Sequence, residues 1–278
     1  MEATDTHELL IFLHIPKAGG STLHRILERE YRGRKIYDTY YGVEYEDELE
    51  QMPLEVRSAV VLLKGHMHFG LHRLFPQRSR YMTMLRDPVE RIVSLYYYAR
   101  RHPEHYLHAP IVDGRLDVRA YASSGLSDEL ENGQVRLLSL RARELGDCDR
   151  PCLEEAKQNL LAHFPVAGLT ERFDESVLLL RRAFGWRLPV YAQANAGDRS
   201  ARDRLDPETR QVLEERNRLD FELYRFAAER LDAQIAAAGS DFLRELRRFQ
   251  RINAAAAFAA RRTARARRAL RGRLSPAR

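Results

Sequence analysis

The sequence lacks the features that would assign it to a simple structural class. Two cysteines in 278 residues are too few for a disulfide-stabilised scaffold. No run of 18 apolar residues occurs, and no basic segment followed by an apolar stretch opens the chain, so the sequence predicts neither a transmembrane segment nor a secretory signal. Hydrophobic residues make up 44% of the chain, which excludes global disorder. These features predict a cytoplasmic globular protein.

Acidic residues are absent from the last part of the chain. Residues 247–278 contain 11 arginines and no aspartate or glutamate, whereas residues 1–246 contain 35 basic and 40 acidic residues. The net charge of +6 therefore comes from the tail alone, which argues against a general nucleic-acid-binding surface. We expect a folded domain over residues 1–246 and an arginine-rich tail, helical or disordered, over 247–278. The tail is expected to attract an anionic surface or polymer.

Apolar runs and helical spacing alternate along the first half of the chain. Buried strands are predicted at residues 8–14, 59–64, 80–85 and 165–169. Helices are predicted at residues 21–31, 126–143, 153–162, 175–184, 207–238 and 240–260. Strands that alternate with helices predict an α/β fold with a parallel sheet flanked by helices, and the second half of the chain is mostly helical.

The first predicted strand leads through the segment HIPKAGGST, residues 14–22, into a helix. Glycines let the backbone approach a ligand, and the N–H groups and dipole at a helix N-terminus favour an anion. This loop is not a Walker A motif, because its lysine precedes the glycine pair. The alternative interpretation is a tight turn with a surface lysine. The residues available to bind phosphate are Lys17, Gly19, Gly20, Ser21 and Thr22.

A second motif, YMTMLRDPVERIVSLYYYARR, occupies residues 81–101. Three residues follow the rules for a helix start: Asp87, Pro88 and Glu90. Arg86 precedes them at the carboxyl edge of the sheet, where α/β folds bind ligands. Ser94 lies two turns along the same helix, so Arg86 and Ser94 are candidates to hold one phosphate group, with a surface ion pair and a helix-bonded hydroxyl as the alternatives.

A third motif, LLKGHMHFGLH at residues 62–72, places His66 directly after a predicted strand. A histidine at that edge can titrate near neutral pH and accept a proton from a hydroxyl group. A metal site formed by His66, His68 and His72 is not expected, because the spacing does not aim the three side chains at one point and no cysteine is close.

The first two motifs as a pair resemble the 5′-phosphosulfate loop and the 3′-phosphate motif of carbohydrate sulfotransferases. These enzymes use 3′-phosphoadenosine 5′-phosphosulfate (PAPS), and the resemblance is strongest to the heparan and uronosyl 2-O-sulfotransferases and their bacterial relatives. It continues through KGHMHFGLH, NGQVRLLSL and VAGLTERFDESVLLLRRAFGW and covers roughly residues 8–235. It implies a sheet of the P-loop-NTPase type, PAPS as the cofactor and a carbohydrate hydroxyl as the acceptor.

The resemblance also implies roles for individual residues. The loop residues Lys17, Gly19, Gly20, Ser21 and Thr22 would bind the 5′-phosphosulfate, and Arg86 and Ser94 the 3′-phosphate. The second histidine of a His-Gly-His motif acts as the general base in that group, and it corresponds to His66, whereas Lys64 stands in place of the first. Lys17 would neutralise charge on the leaving phosphate. The relatives are Golgi proteins with a membrane anchor, so its absence predicts a bacterial enzyme.

Three other functions remain open on the sequence alone. A small-molecule kinase or another nucleotide-binding protein would need an atypical phosphate loop, and no Mg²⁺-binding carboxylate is evident at a strand end. A nucleic-acid-binding protein is favoured only by the tail. An inactive sulfotransferase-like scaffold is the third.

Several further residues have weaker predictions. His14 is expected to bond the backbone, and Arg199 to close over the 3′-phosphate or to be an exposed loop charge. Cys148 and Cys152 are expected to be free thiols. Helix capping, or contact with the acceptor or cofactor, is predicted for three residues near the start of one helix: Asn132, Gln134 and Arg136.

Overall fold

Five short strands form the centre of the molecule. The computed structural model describes residues 8–39, 45–141, 146–191 and 205–274, with side chains described up to residue 258. The strands are β1 (Leu9–Leu13), β2 (Ile36–Thr39), β3 (Leu62–Gly65), β4 (Ser79–Leu85) and β5 (Val166–Leu169). They pair in the order β2-β3-β1-β4-β5, and every pairing is parallel. The predicted parallel α/β fold is confirmed.

Strand β2 is the element that the sequence analysis missed. It contains only IYDT, its residues are half-buried or exposed except for Thr39, and it lies at the edge of the sheet. The four predicted strands have continuous apolar runs because they are covered on both faces, and β1 is fully buried throughout. An edge strand of four residues carries no such run.

Helices cover the sheet and form most of the second half of the chain. They are α1 (Gly20–Glu30), α2 (Tyr45–Gln51), α3 (Leu54–Ser58), α4 (Pro88–Arg101), α5 (His108–Asp113), α6 (Val118–Ser123), α7 (Gly133–Leu138), α8 (Arg150–His163), α9 (Phe173–Phe184), α10 (Pro207–Arg216) and α11 (Arg218–Leu274). Both α9 and α11 pack against β5, and α8 packs against β4. Among the described residues, no helix is long and apolar enough to cross a membrane.

The helix predicted at 126–143 is two separate pieces. A short 3₁₀ helix, Asp128–Leu130, is followed by α7, and Asn132 between them has a positive φ of 48°. The Asn132 side chain accepts hydrogen bonds from the N–H groups of Leu219 and Asp220 at 3.0 and 3.3 Å. Asp220 in turn accepts from the N–H groups of Gln134 and Val135. The starts of α7 and α11 therefore cap each other, which fixes α7 beside the sheet.

The long C-terminal helix is interrupted at Gly239, whose φ of 70° and ψ of −166° are not helical. The following helix continues past the predicted domain boundary at residue 246. Phe242 and Phe249 are fully buried, and the Asn253 side chain bonds the Tyr191 N–H at 3.2 Å. Residues up to Asn253 thus contribute to the body of the protein, while Arg247, Arg248 and Arg251 are exposed.

Candidate active site

The loop between β1 and α1 has the backbone expected of an anion site. Gly19 precedes the helix with a φ of 82°, and Lys17 also has a positive φ, 65°. The first turn of α1 contains no acidic residue that would compensate the helix dipole. Ser21 is exposed at this end of the helix, and Thr22 is buried. The N-terminus of α1 therefore presents N–H groups, one hydroxyl and a lysine to the same region.

Gly20 allows α1 to lie against the ring of His14. A Cβ atom at Gly20 would fall 1.7 Å from His14 Nε2, so no larger residue fits without displacing the ring. His14 is half-buried, and its Nδ1 lies 3.2 Å from His24 Nε2. The His14 side chain bonds another histidine, whereas the sequence analysis expected a bond to the backbone. The His14 ring therefore lies between Gly20 at the start of α1 and His66 after β3.

His66 stacks on the other side of His14, with ring centroids 4.5 Å apart. His66 Nδ1 lies 3.1 Å from the carbonyl oxygen of His14, so Nδ1 carries the proton and Nε2 carries the lone pair. The pKa of His66 is lowered to about 4, mainly by burial and to a smaller extent by the charges of His24 and Lys17, against the opposing effect of the bond to His14. At neutral pH the imidazole is therefore uncharged, the form in which it accepts a proton.

Lys64 forms ion pairs with two carboxylates. Its Nζ lies 2.9 Å from Glu28 Oε1 and 3.0 Å from Asp38 Oδ1, and the side chain is almost completely buried. Burial alone would lower the pKa of Lys64, but the hydrogen bonds to the two carboxylates outweigh burial and raise it. Lys64 thus joins α1 to β2 as a charged, paired group.

The second motif begins α4 as predicted. The Asp87 side chain accepts a hydrogen bond from the Glu90 N–H at 3.0 Å, and Pro88 follows in the first turn. Arg86 Nη1 donates to the carbonyl oxygen of Lys17 at 3.0 Å, and Arg86 Nη2 lies 3.3 Å from Glu90. Ser94 lies one turn beyond Glu90 and is half-buried. Arg86 therefore joins the second motif directly to the phosphate loop.

Gln134 on α7 holds the backbone of Arg86 in place. Its amide oxygen accepts from the Arg86 N–H at 3.0 Å, and its amide nitrogen donates to the Arg86 carbonyl oxygen at 2.8 Å. Gln134 is fully buried. This pair of bonds extends the end of β4 as a neighbouring strand would, and it assigns Gln134 to positioning Arg86.

A cleft of about 160 Å³ opens beside His66. Glu129 is one of its polar residues. The fully buried guanidinium of Arg91 lies 3.4 Å from the Glu129 carboxylate and fixes its position. Its walls are formed by Tyr45, His66, Met67, His68, Asp128, Glu129, Gly133, Arg136 and Leu137. The cleft thus offers a polar and partly apolar pocket directly at the imidazole.

Lys17 lies against the aromatic face of α4. Its Nζ is 3.6 Å from the centroid of the Tyr98 ring. The pKa of Lys17 is lowered to about 8, mainly by burial and also by the positive charges of Arg86 and Arg101, whereas Glu129 has the opposite effect. The ammonium group is therefore charged at neutral pH but deprotonates within the range of ordinary buffers.

The three histidines after β3 separate in the structure. His66 and His68 line the cleft. His72 lies in the 3₁₀ helix Leu71–Leu74, where its Nδ1 is 3.0 Å from the Tyr81 hydroxyl and its ring centroid is 4.9 Å from that of His163.

The remaining predictions concern Arg199 and the two cysteines. Arg199 lies outside the described residues. Cys148 and Cys152 are buried, free thiols.

Sequence reasoning gave His24 and Glu129 no role in this region, expected His14 only to bond the backbone, and did not connect Tyr98 with Lys17. Their roles depend on contacts between distant segments. The one local signal was the close spacing of Gly20 and His14, because a glycine at a helix start suggests that another group approaches it.

Comparison with known proteins points to one family. The model of the galactose-3-O-sulfotransferase family matches residues 4–271. Human galactose-3-O-sulfotransferase 2 is 28% identical over 63% of this chain and 46% of its own length. Zebrafish heparan-sulfate 6-O-sulfotransferase 2 is 26% identical over 82% of this chain and 59% of its own. Mouse uronyl 2-sulfotransferase is 25% identical over 79% of this chain and 61% of its own length.

The match confirms the predicted resemblance to carbohydrate sulfotransferases and extends it beyond the 2-O group. The relatives carry names for three different acceptor positions, at similarly low identity. The chain spans between about half and three fifths of the length of these relatives.

Proposed function

Because the chain belongs to the galactose-3-O-sulfotransferase family, we propose that it transfers a sulfuryl group from PAPS to a hydroxyl of a carbohydrate acceptor. One observation carries the proposal: three motifs far apart in sequence meet at the carboxyl ends of adjacent strands β3, β1 and β4. His66 stacks on His14, which packs on Gly20, and Arg86 bonds the Lys17 carbonyl oxygen.

The groups at this edge fit the chemistry of PAPS. A 5′-phosphosulfate is an anion that needs N–H donors and cations, which the start of α1 and Lys17 supply. Its 3′-phosphate needs a second cationic site, which Arg86 and the half-buried Ser94 supply. PAPS, when bound, supplies the sulfuryl group and a phosphate leaving group. The loop residues Gly19, Gly20, Ser21 and Thr22 lie at the end of α1 that would face it.

The residues of this chain then divide the reaction between them. His66 would accept, at Nε2, the proton that the acceptor hydroxyl loses as it receives the sulfuryl group. Lys17 and the N–H groups of α1 stabilise the negative charge that develops on the phosphate. The cleft beside His66 binds the acceptor, with Glu129 and Arg136 as polar groups and Met67 and Leu137 as apolar ones.

Two measurements test this function. Calorimetry should show that 3′-phosphoadenosine 5′-phosphate (PAP) binds much more tightly than 5′-AMP or ATP. Labelled PAPS incubated with panels of glycans, lipids and phenols should transfer label to a glycan. Tight binding of ATP without binding of PAP would instead favour the small-molecule kinase. Label transfer to phenols alone would contradict the carbohydrate acceptor.

The arginine-rich tail has a separate proposed role, attraction to an anionic polymer or surface. Arg247, Arg248 and Arg251 are exposed on α11, and eight more arginines follow up to residue 278. Replacing those eight arginines with glutamine in the full chain should leave PAP binding unchanged and reduce retention on heparin and on anionic vesicles. Unchanged retention on both would contradict this role.

A further inference from the structure

The contact between Lys17 and Tyr98 joins the two motifs, and Tyr98 is not one of the residues that the sequence analysis assigned to phosphate binding. The Lys17 ammonium lies 3.6 Å from the centre of the ring, well inside the distance at which a cation is attracted to an aromatic face. Because Lys17 is half-buried, the contact lies in a partly desolvated environment, where such an attraction is stronger than at an open surface. Tyr98 therefore contributes directly to where this charge is held.

Tyr98 is itself held rigidly. Its ring stacks on His102 with centroids 3.9 Å apart at an angle of 26°, and the His105 ring meets it edge-on at 5.6 Å. His102 Nδ1 lies 2.8 Å from the carbonyl oxygen of Tyr98, which fixes the stacking partner to the same turn of α4. A ring fixed on both sides keeps its face at a constant place relative to the helix.

The other end of the lysine is fixed as well. Lys17 has a left-handed backbone, and its carbonyl oxygen accepts the hydrogen bond from Arg86. With backbone and ammonium both restrained, the flexible side chain loses most of its rotamers before any ligand binds. An ammonium group has three N–H bonds, so contact with a ring face still leaves donors for phosphate oxygens.

We propose that Tyr98 is a positioning residue for Lys17, whose ring face holds the ammonium group ready for the phosphate of the sulfuryl donor. This inference rests on the proposed function. Other charged and titratable groups surround Lys17 from the neighbouring elements, and the Tyr98, Tyr97 and Lys17 variants below retain all of them: His14, His66, Arg86, Arg101, His105 and Glu129.

The scarcity of lysine allows a direct test in the intact protein. Only Lys17, Lys35, Lys64 and Lys157 are present, so ¹³Cε-lysine labelling gives four NMR signals, and the Lys17→Met variant assigns one of them. In the unsubstituted protein, the Lys17 Hε protons should be shifted upfield by the ring and show contacts to the Tyr98 ring protons. Absence of both would overturn the proposal whatever the protein binds.

Substitutions then connect the contact with ligand binding. Tyr98→Leu should weaken PAP binding about 3- to 30-fold, the range expected for losing a cation–π contact, while Tyr98→Phe keeps the ring face and should stay within about twofold of the unsubstituted protein. Tyr97→Leu, on the same helix, is the matched control and should have no such effect. In the Lys17→Met background, Tyr98→Leu should cause no further loss.

The outcomes separate this inference from the proposed function. Equal losses for Tyr98→Phe and Tyr98→Leu, or a loss that persists in the Lys17→Met background, would show a merely structural role and overturn the proposal. If the unsubstituted protein fails to bind PAP, the proposed function fails, while the NMR contact still decides whether Tyr98 holds Lys17. If Tyr98→Leu does not fold, the Tyr98→Phe variant decides instead. An upfield shift of the Lys17 Hε protons and their contacts to the ring at position 98 would support the proposal, and absence of both would overturn it.

Discussion

His66 and His72 lie six residues apart and have pKa values lowered to about 4, in both cases mainly by burial. Their surroundings differ. His66 packs on His14 at the phosphate loop and lines the cleft. His72 packs on His163 and contacts the fully buried Tyr81 of β4.

The two imidazoles also have opposite tautomers. His66 Nδ1 donates to the His14 carbonyl oxygen, which leaves the lone pair on Nε2. The Tyr81 oxygen already accepts the N–H groups of Gly70 and His72, so its own proton is donated to His72 Nδ1. The lone pair on His72 Nδ1 thus accepts a hydrogen bond from the Tyr81 hydroxyl. A lowered pKa therefore does not identify a base by itself, and the proposal of His66 rests also on its place beside the cleft.

Replacing each histidine is the strongest test of this difference. His66→Ala should reduce kcat by roughly 10²–10⁴-fold, the usual contribution of a positioned general base. His72→Ala should leave kcat within a few-fold and instead lower the melting temperature, because the Tyr81 hydroxyl loses its buried acceptor. Steady-state kinetics and thermal unfolding measure the two effects.

The result also separates His66 from its neighbour in the cleft. His68→Ala should affect kcat far less than His66→Ala, with PAP affinity nearly unchanged in both variants. If His68→Ala or His72→Ala abolished turnover while His66→Ala kept it, the base would be wrongly assigned. If none of the three mattered, a carboxylate such as Glu129 would have to accept the proton.

How far the sequence predicts this site depends on whether the relevant spacing is local. Asp87, Pro88 and the loop before α1 follow from rules about adjacent residues, and the parallel sheet follows from continuous apolar runs. The opposite tautomers of His66 and His72 depend on His14 and Tyr81, which no local pattern connects with them. Strand β2 and the break at Asn132 were missed because an edge strand is half-exposed and because Asn132 serves a helix 87 residues away.

A second test extends the comparison from imidazoles to guanidinium groups at opposite ends of β4. Arg86, at the carboxyl end, contacts the phosphate loop, whereas Arg80 bonds Glu8 and the Ala183 carbonyl oxygen. Arg86→Ala should remove most of the preference for PAP over 5′-AMP, about 10- to 150-fold for a charged hydrogen bond. Arg80→Ala should keep it, as measured by calorimetry. Equal preference in both variants would exclude a 3′-phosphate site at Arg86.

The pH dependence of PAP binding should report the charge of Lys17. The pKa of Lys17 is lowered to about 8, so its positive charge is present below that pH and is lost as the pH rises through it. PAP affinity should therefore fall by roughly tenfold between pH 7 and 9, the effect of losing a charged hydrogen bond. Lys17→Arg, which stays charged, should show a flat profile over this range. A decline that is the same in Lys17→Arg would assign the titration to another group.

The smallest expected effect compares the two histidines without any substitution. Bound PAP brings negative charge next to His66, which stabilises the imidazolium and raises its pKa from about 4, whereas His72, packed between Tyr81 and His163, should keep a pKa of about 4. NMR titration of the imidazole Cε1–H signals, with and without PAP, measures both values, and the His66→Ala and His72→Ala variants assign the signals. The charges of Lys17 and His24 also lower the pKa of His66. Lys17→Met should therefore raise the pKa of His66 in the free protein, and the size of that change shows how far one nearby charge shifts it. Equal changes in the two pKa values on adding PAP would show that the ligand binds elsewhere. The position of His66 beside the cleft would then no longer distinguish it from His72 as the base.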